Sequence, residues 1–337
     1  MAAGPILSTS GSTSGPMGIP ADALQRLHQQ IGRLNANIES VFQGKSQVVR
    51  AVITALVAEG HVLLEDVPGV GKTTLARAIA RSLGADFQRI QFTSDLLPTD
   101  ILGLTLFNKD KGEFEFRPGP IFAHVILADE INRTSPRTQS ALLEAMAEKQ
   151  VSVDDRTYPL PDPFIVLATQ NPLEYHGTYP LPESQLDRFL MRLSIGYPSP
   201  EIERALLLSR QQAEPVDALQ PVLSLAELRR IQSAVDHVYL EGSLVDYLLR
   251  VVQATRTSKL LRAGVSTRGA LALARAARAQ ALVNGRSFCL PEDLQALFVS
   301  VLAHRISLLG SAEMVGNQRQ EAEAVIRDIV ATIEPPI

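Results

Sequence analysis

The sequence predicts an α/β chain in two parts: a core in which five short strands alternate with helices, followed by a helical domain. Three observations carry this. Five apolar runs of strand length occur between residues 62 and 195, separated by segments of helical spacing. The first run leads through a glycine-rich turn into a helix, a strand–turn–helix arrangement. After Tyr197-Pro198 the strand signal stops, and apolar residues recur only at helical spacing.

Composition sets the frame. The 337 residues suit two domains, each with its own core, and 45% apolar with 20% charged residues is ordinary for a globular protein. A net charge of −4 gives no basic footprint for nucleic acid. Cys289 is the only cysteine, so a disulfide framework and a cysteine metal site are excluded, and a reducing, cytoplasmic compartment fits. No apolar run has the length of a membrane span. Residues 1–20, rich in Gly, Ser, Thr and Pro, read as a flexible tail rather than a secretory signal.

From Ala21 to Ser40 a helical stripe runs through Leu24, Leu27, Ile31, Leu34 and Ile38, and a second helix follows Val41-Phe42-Gln43-Gly44-Lys45. The strand His61-Val62-Leu63-Leu64 then enters Glu65-Asp66-Val67-Pro68-Gly69-Val70-Gly71-Lys72-Thr73-Thr74. Glycines there let backbone N–H groups turn toward phosphate oxygens, and the helix that starts at Lys72 points its positive end at the same anion. Lys72 is placed to reach the β- and γ-phosphates, and the Thr73 hydroxyl to sit on Mg²⁺. Asp66 stands where the full phosphate-loop pattern has Gly, and is expected to tolerate a positive φ there.

Phe87–Phe92 alternates as a second strand. Ser94–Gly103 reads as a short helix broken by Pro98, and Phe107–Phe122 as an inserted hairpin or loop. The apolar run Val125–Ala128 delivers Asp129-Glu130 at its end: Asp129 suited to hold Mg²⁺, Glu130 to orient and deprotonate an attacking water. Acids also favour a helix start, so this pair gains its meaning from the phosphate loop. A helix (Arg137–Lys149), a hairpin turning at Asp154-Asp155, and the buried strand Phe164–Thr169 follow. Asn171, just past that strand, stands where ligands of open α/β sheets bind, although Asn before Pro is also a common turn. The short helix of Glu183–Phe189 carries Arg188 and leads to the fifth strand, Met191–Ile195; on pattern alone Arg188 is a surface arginine favoured by the helix dipole. Helices are expected from Glu201 to Gln211, Leu225 to Val238, Ser243 to Thr255, Thr267 to Val283, Pro291 to Leu302 and Gln318 to Ile333. Arg268 lies in the first turn of one of them, capped by Ser266, where the dipole disfavours a cation; it is either aimed at an anion or solvated. The six histidines make no metal pattern; His61 and His124 open core strands, and His176 lies in a loop.

Taken in order, the phosphate loop, Asp129-Glu130, Asn171, Arg188 and Arg268 resemble the AAA+ ATPases. The strings Leu64–Thr73, Ala128-Asp129-Glu130-Ile131-Asn132-Arg133, Ala168–Pro172 and Gly177–Glu183 running on to Asp187-Arg188-Phe189 are similar to those of the MoxR family. The resemblance implies a five-stranded parallel core at 21–198, with an insert in the second helix at about 97–120 and a hairpin before the sensor strand at about 150–161, then a helical lid at 199–337. It implies Lys72 and Thr73 as Walker A, Asp129 and Glu130 as Walker B, Asn171 as sensor 1, Arg188 as the arginine finger (with Arg133 a second candidate) and Arg268 as sensor 2. Phe42, Gln43 and Gly44 would approach the adenine, with Pro68, Gly69, Val70, Gly71, Lys72, Thr73 and Thr74 around the phosphates. ATP and Mg²⁺ are the implied ligands. A homo-oligomeric ring, typically hexameric in the family, and a von Willebrand factor A domain protein or other client are the implied partners.

Two other readings belong beside a client-remodelling chaperone. A nucleic-acid motor needs basic insert tips, yet the Val151–Leu160 hairpin carries Asp154 and Asp155 against Arg156, and the first insert is close to neutral. A metal-insertion subunit like that of magnesium chelatase has the same core.

Overall fold

The computed structural model describes residues 18–172, 177–209, 215–309 and 318–336. Most of the expected tail, and His176, lie outside the described residues. Helices α1 (Ala21–Glu39) and α2 (Ser46–Val57) precede strand β1 (Val62–Glu65), and α3 (Lys72–Leu83) and β2 (Phe87–Gln91) follow. Next come α4 (Pro98–Leu102), the hairpin β3 (Gly103–Asn108) with β4 (Glu113–Pro118), β5 (Val125–Asp129) and α5 (Pro136–Glu148). A second hairpin, β6 (Gln150–Val153) with β7 (Arg156–Pro159), leads to β8 (Ile165–Gln170), α6 (Glu183–Leu186) and β9 (Met191–Leu193). The remainder comprises α7 (Pro200–Ser209), α8 (Leu225–Ala234), α9 (Gly242–Thr257), β10 (Leu261–Ala263), α10 (Thr267–Val283), α11 (Pro291–Gln295), α12 (Phe298–Leu302), β11 (Ser307–Leu308) and α13 (Gln318–Ala331).

Five strands form one parallel sheet in the order β2-β5-β8-β1-β9. The central strands β5, β8 and β1 are apolar up to their carboxyl ends, where Asp129, Thr169-Gln170 and Glu65 stand, because helices cover both faces. Strand alternation divides the apolar residues of β1: Val62 and Leu64 join a core with α1, α2, α3 and the helical domain, whereas Leu63 joins a second core with α5 and the hairpins. The first core runs unbroken from the sheet to Tyr247 and Phe298, so the helical domain is packed on the sheet domain rather than tethered to it. The chain passes from β1 outward to β2, works back through β5 and β8, and then crosses to β9 on the far side of β1. The order therefore reverses beside β1, and ligands of open α/β sheets bind at the carboxyl ends of the strands at such a reversal.

Three local expectations are corrected. Pro98 does not break a helix; it begins α4, where its missing N–H costs nothing, and the Asp100 carboxylate accepts from Leu97 N at 2.8 Å. The C-terminal part is not wholly helical: β10 and β11 pair antiparallel, and runs of three and two residues are too short to show an alternation in sequence. The segment read as one helix over Pro291–Leu302 is two, α11 and α12.

Candidate active site

The phosphate loop sits at the carboxyl end of β1. Gly71 caps α3 with φ +92°, a left-handed conformation costly for other residues, and a Cβ there would lie 3.0 Å from the Phe42 ring. Lys72 Nζ donates to Asp66 O at 2.8 Å, which lays the ammonium across the mouth of the loop. Asp66 needs no positive φ, contrary to expectation. Its buried carboxylate instead accepts from Ser194 Oγ at 3.1 Å and from the backbone N–H groups of Ile195 and Gly196. An acid at this position ties the loop to the end of β9, a service glycine cannot perform. Phe42 is buried against the loop, while Gly44, at φ +74°, packs against Ile202 of α7.

The second half of the site lies on the neighbouring strands. One Asp129 oxygen, Oδ1, accepts from Thr169 Oγ1 at 2.6 Å, and the other, Oδ2, accepts from Arg89 Nη2 at 2.5 Å and Nε at 3.1 Å. The same Thr169 hydroxyl accepts from Glu130 N at 2.8 Å, so one side chain on β8 bonds both Asp129 at the end of β5 and the backbone of Glu130 just after it. Glu130 has left-handed backbone, φ 59° and ψ 49°, which turns its side chain out of the strand direction. Its carboxylate accepts from Gln91 Nε2 at 2.8 Å and pairs with Arg133 Nε at 3.0 Å. Arg133 is thus engaged by Glu130 of its own chain. Buried Asn171 follows β8 at the same sheet edge. Behind the turn, buried Gln139 donates to Ile131 O, Thr134 O and Tyr179 O, holding the Asp129-Glu130 turn against the Thr178-Tyr179 segment.

The residues fit a magnesium nucleotide. A hydroxyl (Thr73) and a carboxylate (Asp129) are the hard oxygen donors Mg²⁺ prefers, and Asp129 already attracts a cation, the Arg89 guanidinium. The N-terminus of the twelve-residue α3 and the Lys72 ammonium supply the complement for phosphate.

Arg188 and Arg268 lie elsewhere. Both line a cavity of about 290 Å³ that also borders Glu59, His61, Lys149 and Arg275. His61 precedes β1 and Asp66 follows it; five residue steps of about 3.3 Å separate the two ends by roughly 16 Å. This cavity is therefore at the amino edge of the sheet, opposite the phosphate loop. Within it Glu59 pairs with Lys149 at 2.5 Å and with Arg275 at 2.6 Å. Arg188 Nη1 donates to Leu143 O at 2.7 Å, and among the described residues neither Arg188 nor Arg268 has a carboxylate partner. His61 is locked as a neutral ring: Nδ1 accepts from Val166 N at 3.0 Å, Nε2 donates to Met146 O at 3.1 Å, and burial pushes its pKa down to about 4.

Sequence reasoning did not single out Thr169, Arg89, Gln91 or Gln139. A signal existed for three of them. Thr169 is a polar residue closing an apolar strand, and Arg89 and Gln91 share one face at a strand end.

Known proteins resemble this chain along most of its length. Residues 61–191 match the ATPase family associated with various cellular activities (AAA), and residues 253–329 match the AAA lid domain. The protein YeaC of Bacillus subtilis is 49% identical over 92% of this chain and 96% of its own. Chaperone MoxR1 of Mycobacterium tuberculosis is 42% identical over 89% and 80%. Protein MoxR of Methylorubrum extorquens is 33% identical over 94% and 98%. The crystal structure of a candidate ATPase from Cytophaga hutchinsonii superposes with a TM-score of 0.83 at 37% identity, covering 93% of this chain and 97% of that one. Relatives named MoxR and Chaperone MoxR1, 33% and 42% identical over most of the chain, together with the AAA match over the sheet domain, make the chain a member of the MoxR family of AAA+ ATPases.

Proposed function

We propose that this protein hydrolyses ATP in a ring of its own copies and uses the cycle to remodel or mature a client protein. The observation that supports hydrolysis most directly is the convergence of Lys72, Asp129, Glu130 and Asn171 on one sheet edge, with Thr169 bridging the acid pair. Backbone N–H groups of the loop from Gly69 to Thr74 bind the phosphates, and Lys72 balances charge on the β- and γ-phosphoryl oxygens. Phe42, Gln43 and Gly44 border the adenine. Thr73 and Asp129 hold Mg²⁺, which supplies charge neutralisation at the phosphoryl group undergoing transfer. Glu130 accepts a proton from the attacking water as its oxygen bonds to phosphorus and the β–γ bridge bond breaks; Asn171 orients that water.

The ring rests on the placement of Arg188 and Arg268. They share a cavity at the edge opposite their own phosphate loop, so they serve the site of an adjacent copy, where a guanidinium stabilises charge on the γ-phosphoryl group. Arg133, paired with its own Glu130, is the less suited finger. Six subunits and a cytoplasmic setting accord with the family; among the described residues no helix is long and apolar enough to cross a membrane. A protein client accords with the relative named Chaperone MoxR1. A von Willebrand factor A domain protein is the partner class that the family resemblance suggests, ahead of nucleic acid. The residue ranges 21–198 and 199–337 are the working units of this reading.

Glu130→Gln tests it. Turnover should fall on the order of 10²- to 10⁴-fold while binding of a fluorescent ATP analogue persists. Undiminished phosphate release would refute the proposed general base.

A further inference from the structure

One buried guanidinium is not used by the site as described. Arg305 follows α12, and its side chain is 2% exposed. All three of its nitrogens are engaged by the segment that carries Arg188. Nε donates to Asp187 Oδ1 at 2.7 Å; Nη2 donates to Phe189 O at 2.6 Å and to Asp187 O at 3.3 Å; Nη1 donates to Leu190 O at 3.1 Å and also to Val301 O of α12. Carbonyls on both sides of Arg188 are thereby fixed to a residue of the lid. The segment links α6, which ends at Leu186, to β9, which begins at Met191. Its N–H groups bond to Glu183, Gln185, Leu186 and His61 oxygens, and its carbonyls at Asp187, Phe189 and Leu190 go to Arg305, with Phe189 O also meeting His304 Nε2 at 3.0 Å.

The same side chain packs against the start of α10. A Cβ on Gly269 would lie 2.9 Å from Arg305 Cδ, so the helix reaches Arg305 only because that position has no side chain. Ser266, the cap of α10, accepts from Gly269 N at 3.0 Å and approaches Asp187 Oδ2 at 3.5 Å. Arg268 stands in this first turn. Arg305 and Asp187 are therefore the common footing of Arg188, from the sheet domain, and Arg268, from the lid.

Burying an arginine this deeply is costly unless its hydrogen bonds are complete. Packing alone would be served at lower cost by an apolar residue. The fork geometry, which fixes several acceptors at set angles, is what an apolar residue or a lysine lacks.

We infer that Arg305 is a positioning residue that locks Arg188 and Arg268 into one rigid pair, so that the lid sets how both reach the neighbouring subunit's phosphates. This rests on the proposed trans action of Arg188. Arg305 touches no reacting atom; its effect is on turnover rather than on nucleotide binding.

The test uses the full-length protein. Arg305→Lys keeps the charge and loses the fork. It should lower kcat on the order of 10- to 100-fold, with KM for ATP and affinity for the fluorescent analogue changed by about two-fold or less. Mixing with Glu130→Gln subunits separates positioning from damage. Those subunits cannot hydrolyse but donate intact arginines, so turnover should rise above the sum of the two parents, as it should for Arg188→Ala mixed in the same way. Recovery for Arg188→Ala without recovery for Arg305→Lys overturns the inference and leaves trans action standing. So does full turnover by Arg305→Lys alone. No recovery for Arg188→Ala refutes trans action itself, and the role of Arg305 with it. Should Arg305→Lys fail to fold, Asp187→Asn removes only the carboxylate charge that Nε meets. A smaller kcat loss of the same kind, again recovered by mixing, supports the inference, and wild-type turnover overturns it.

Discussion

The two edges of the sheet are built differently. At the carboxyl edge the functional groups come from the loops and strand ends of the sheet itself, and they touch one another: Thr169 joins Asp129 to Glu130, Gln91 and Arg133 hold Glu130, and Lys72 spans its loop. At the amino edge Arg188 and Arg268 come from two domains, and they meet through Arg305 and Asp187 rather than through each other. The first edge draws every group of the proposed nucleotide site from one chain. The second presents cations with no carboxylate partner among the described residues, beside a cavity whose other cations are paired with Glu59, Asp236 and Asp187. A protein that carries both edges on one rigid sheet can transmit a change at one to the other only as movement of the whole body or of its lid. That suits an assembly in which each copy completes the next.

The strongest way to break this comparison is to remove one edge and supply it from another molecule. Arg188→Ala should cost about 10³-fold or more in ATP turnover, the scale of losing a trans-acting arginine. Its binding of the fluorescent ATP analogue should be unchanged, because the carboxyl edge is intact. Adding Lys72→Ala subunits, dead at the opposite edge, should restore part of the activity in steady-state phosphate release. An Arg188→Ala protein that turns over normally would mean that the amino edge has no part in catalysis.

How legible each edge was follows from the same difference. The carboxyl edge could be read because its parts are contiguous: the loop from Pro68 to Thr74 and the Asp129-Glu130 pair each carry their chemistry within a few residues, next to an apolar run that says strand. Strands β1, β5 and β8 were legible for a like reason, since buried parallel strands are short apolar runs, whereas the edge strand β2 was legible through its alternation. Asp66 was misread because its role depends on Ile195 and Gly196, far along the chain, and no local rule reports that. Thr169, Arg89 and Gln139 were passed over because a single polar residue acquires meaning only once the neighbouring strand or turn is known. Arg305 gave no signal at all: an arginine after a helix reads as exposed, and only the lid's packing on residues 187–190 buries it. The β10–β11 pair was missed for want of length. Arg188 and Arg268 were singled out through family resemblance alone, whereas pattern left Arg188 as a surface arginine and Arg268 undecided between an anion and solvent.

A second prediction sets the stability of the edges apart by pH. His61 braces the amino edge, linking the start of β8 through Val166 N to the end of α5 through Met146 O, and burial holds its pKa at about 4. The folded ring is neutral where an unfolded one, near 6.5, takes up a proton. The unfolded state thus binds more protons between these values, so stability is complete above about pH 6.5 and falls as pH drops toward 4. The loss from this residue is on the order of 3 kcal/mol, since each tenfold difference in proton affinity between the two states is worth about 1.4 kcal/mol. Buried His304, whose pKa is also held down by burial and by Arg305, adds in the same direction at the same edge. Urea unfolding at about pH 7.5 and about pH 5, on either side of the unfolded histidine's pKa, should show the decrease, and His61→Gln should flatten its pH dependence. Hydrogen exchange should show amides of residues 187–190 and Val166 losing protection at the lower pH before those of the phosphate loop. Equal loss at both edges would remove this distinction.

The smallest expected effect probes the one side chain that unites the carboxyl edge. Thr169→Val keeps the shape of the strand and its burial but removes the hydroxyl that donates to Asp129 Oδ1 and accepts from Glu130 N. Partners that orient a metal ligand from behind are worth roughly 10- to 100-fold when removed. The lower end applies here, because Arg89 continues to hold the other Asp129 oxygen and Gln91 and Arg133 continue to hold Glu130. Turnover should therefore fall about ten-fold. The Mg²⁺ concentration for half-maximal activity should rise, since a freer Asp129 carboxylate must be ordered on binding the ion. Thr169→Ser, which restores the hydroxyl, should recover most of both. Undiminished turnover and an unchanged Mg²⁺ requirement in Thr169→Val, which has lost only the hydroxyl, would show that the bridge from Asp129 to Glu130 has no share in the work of this edge.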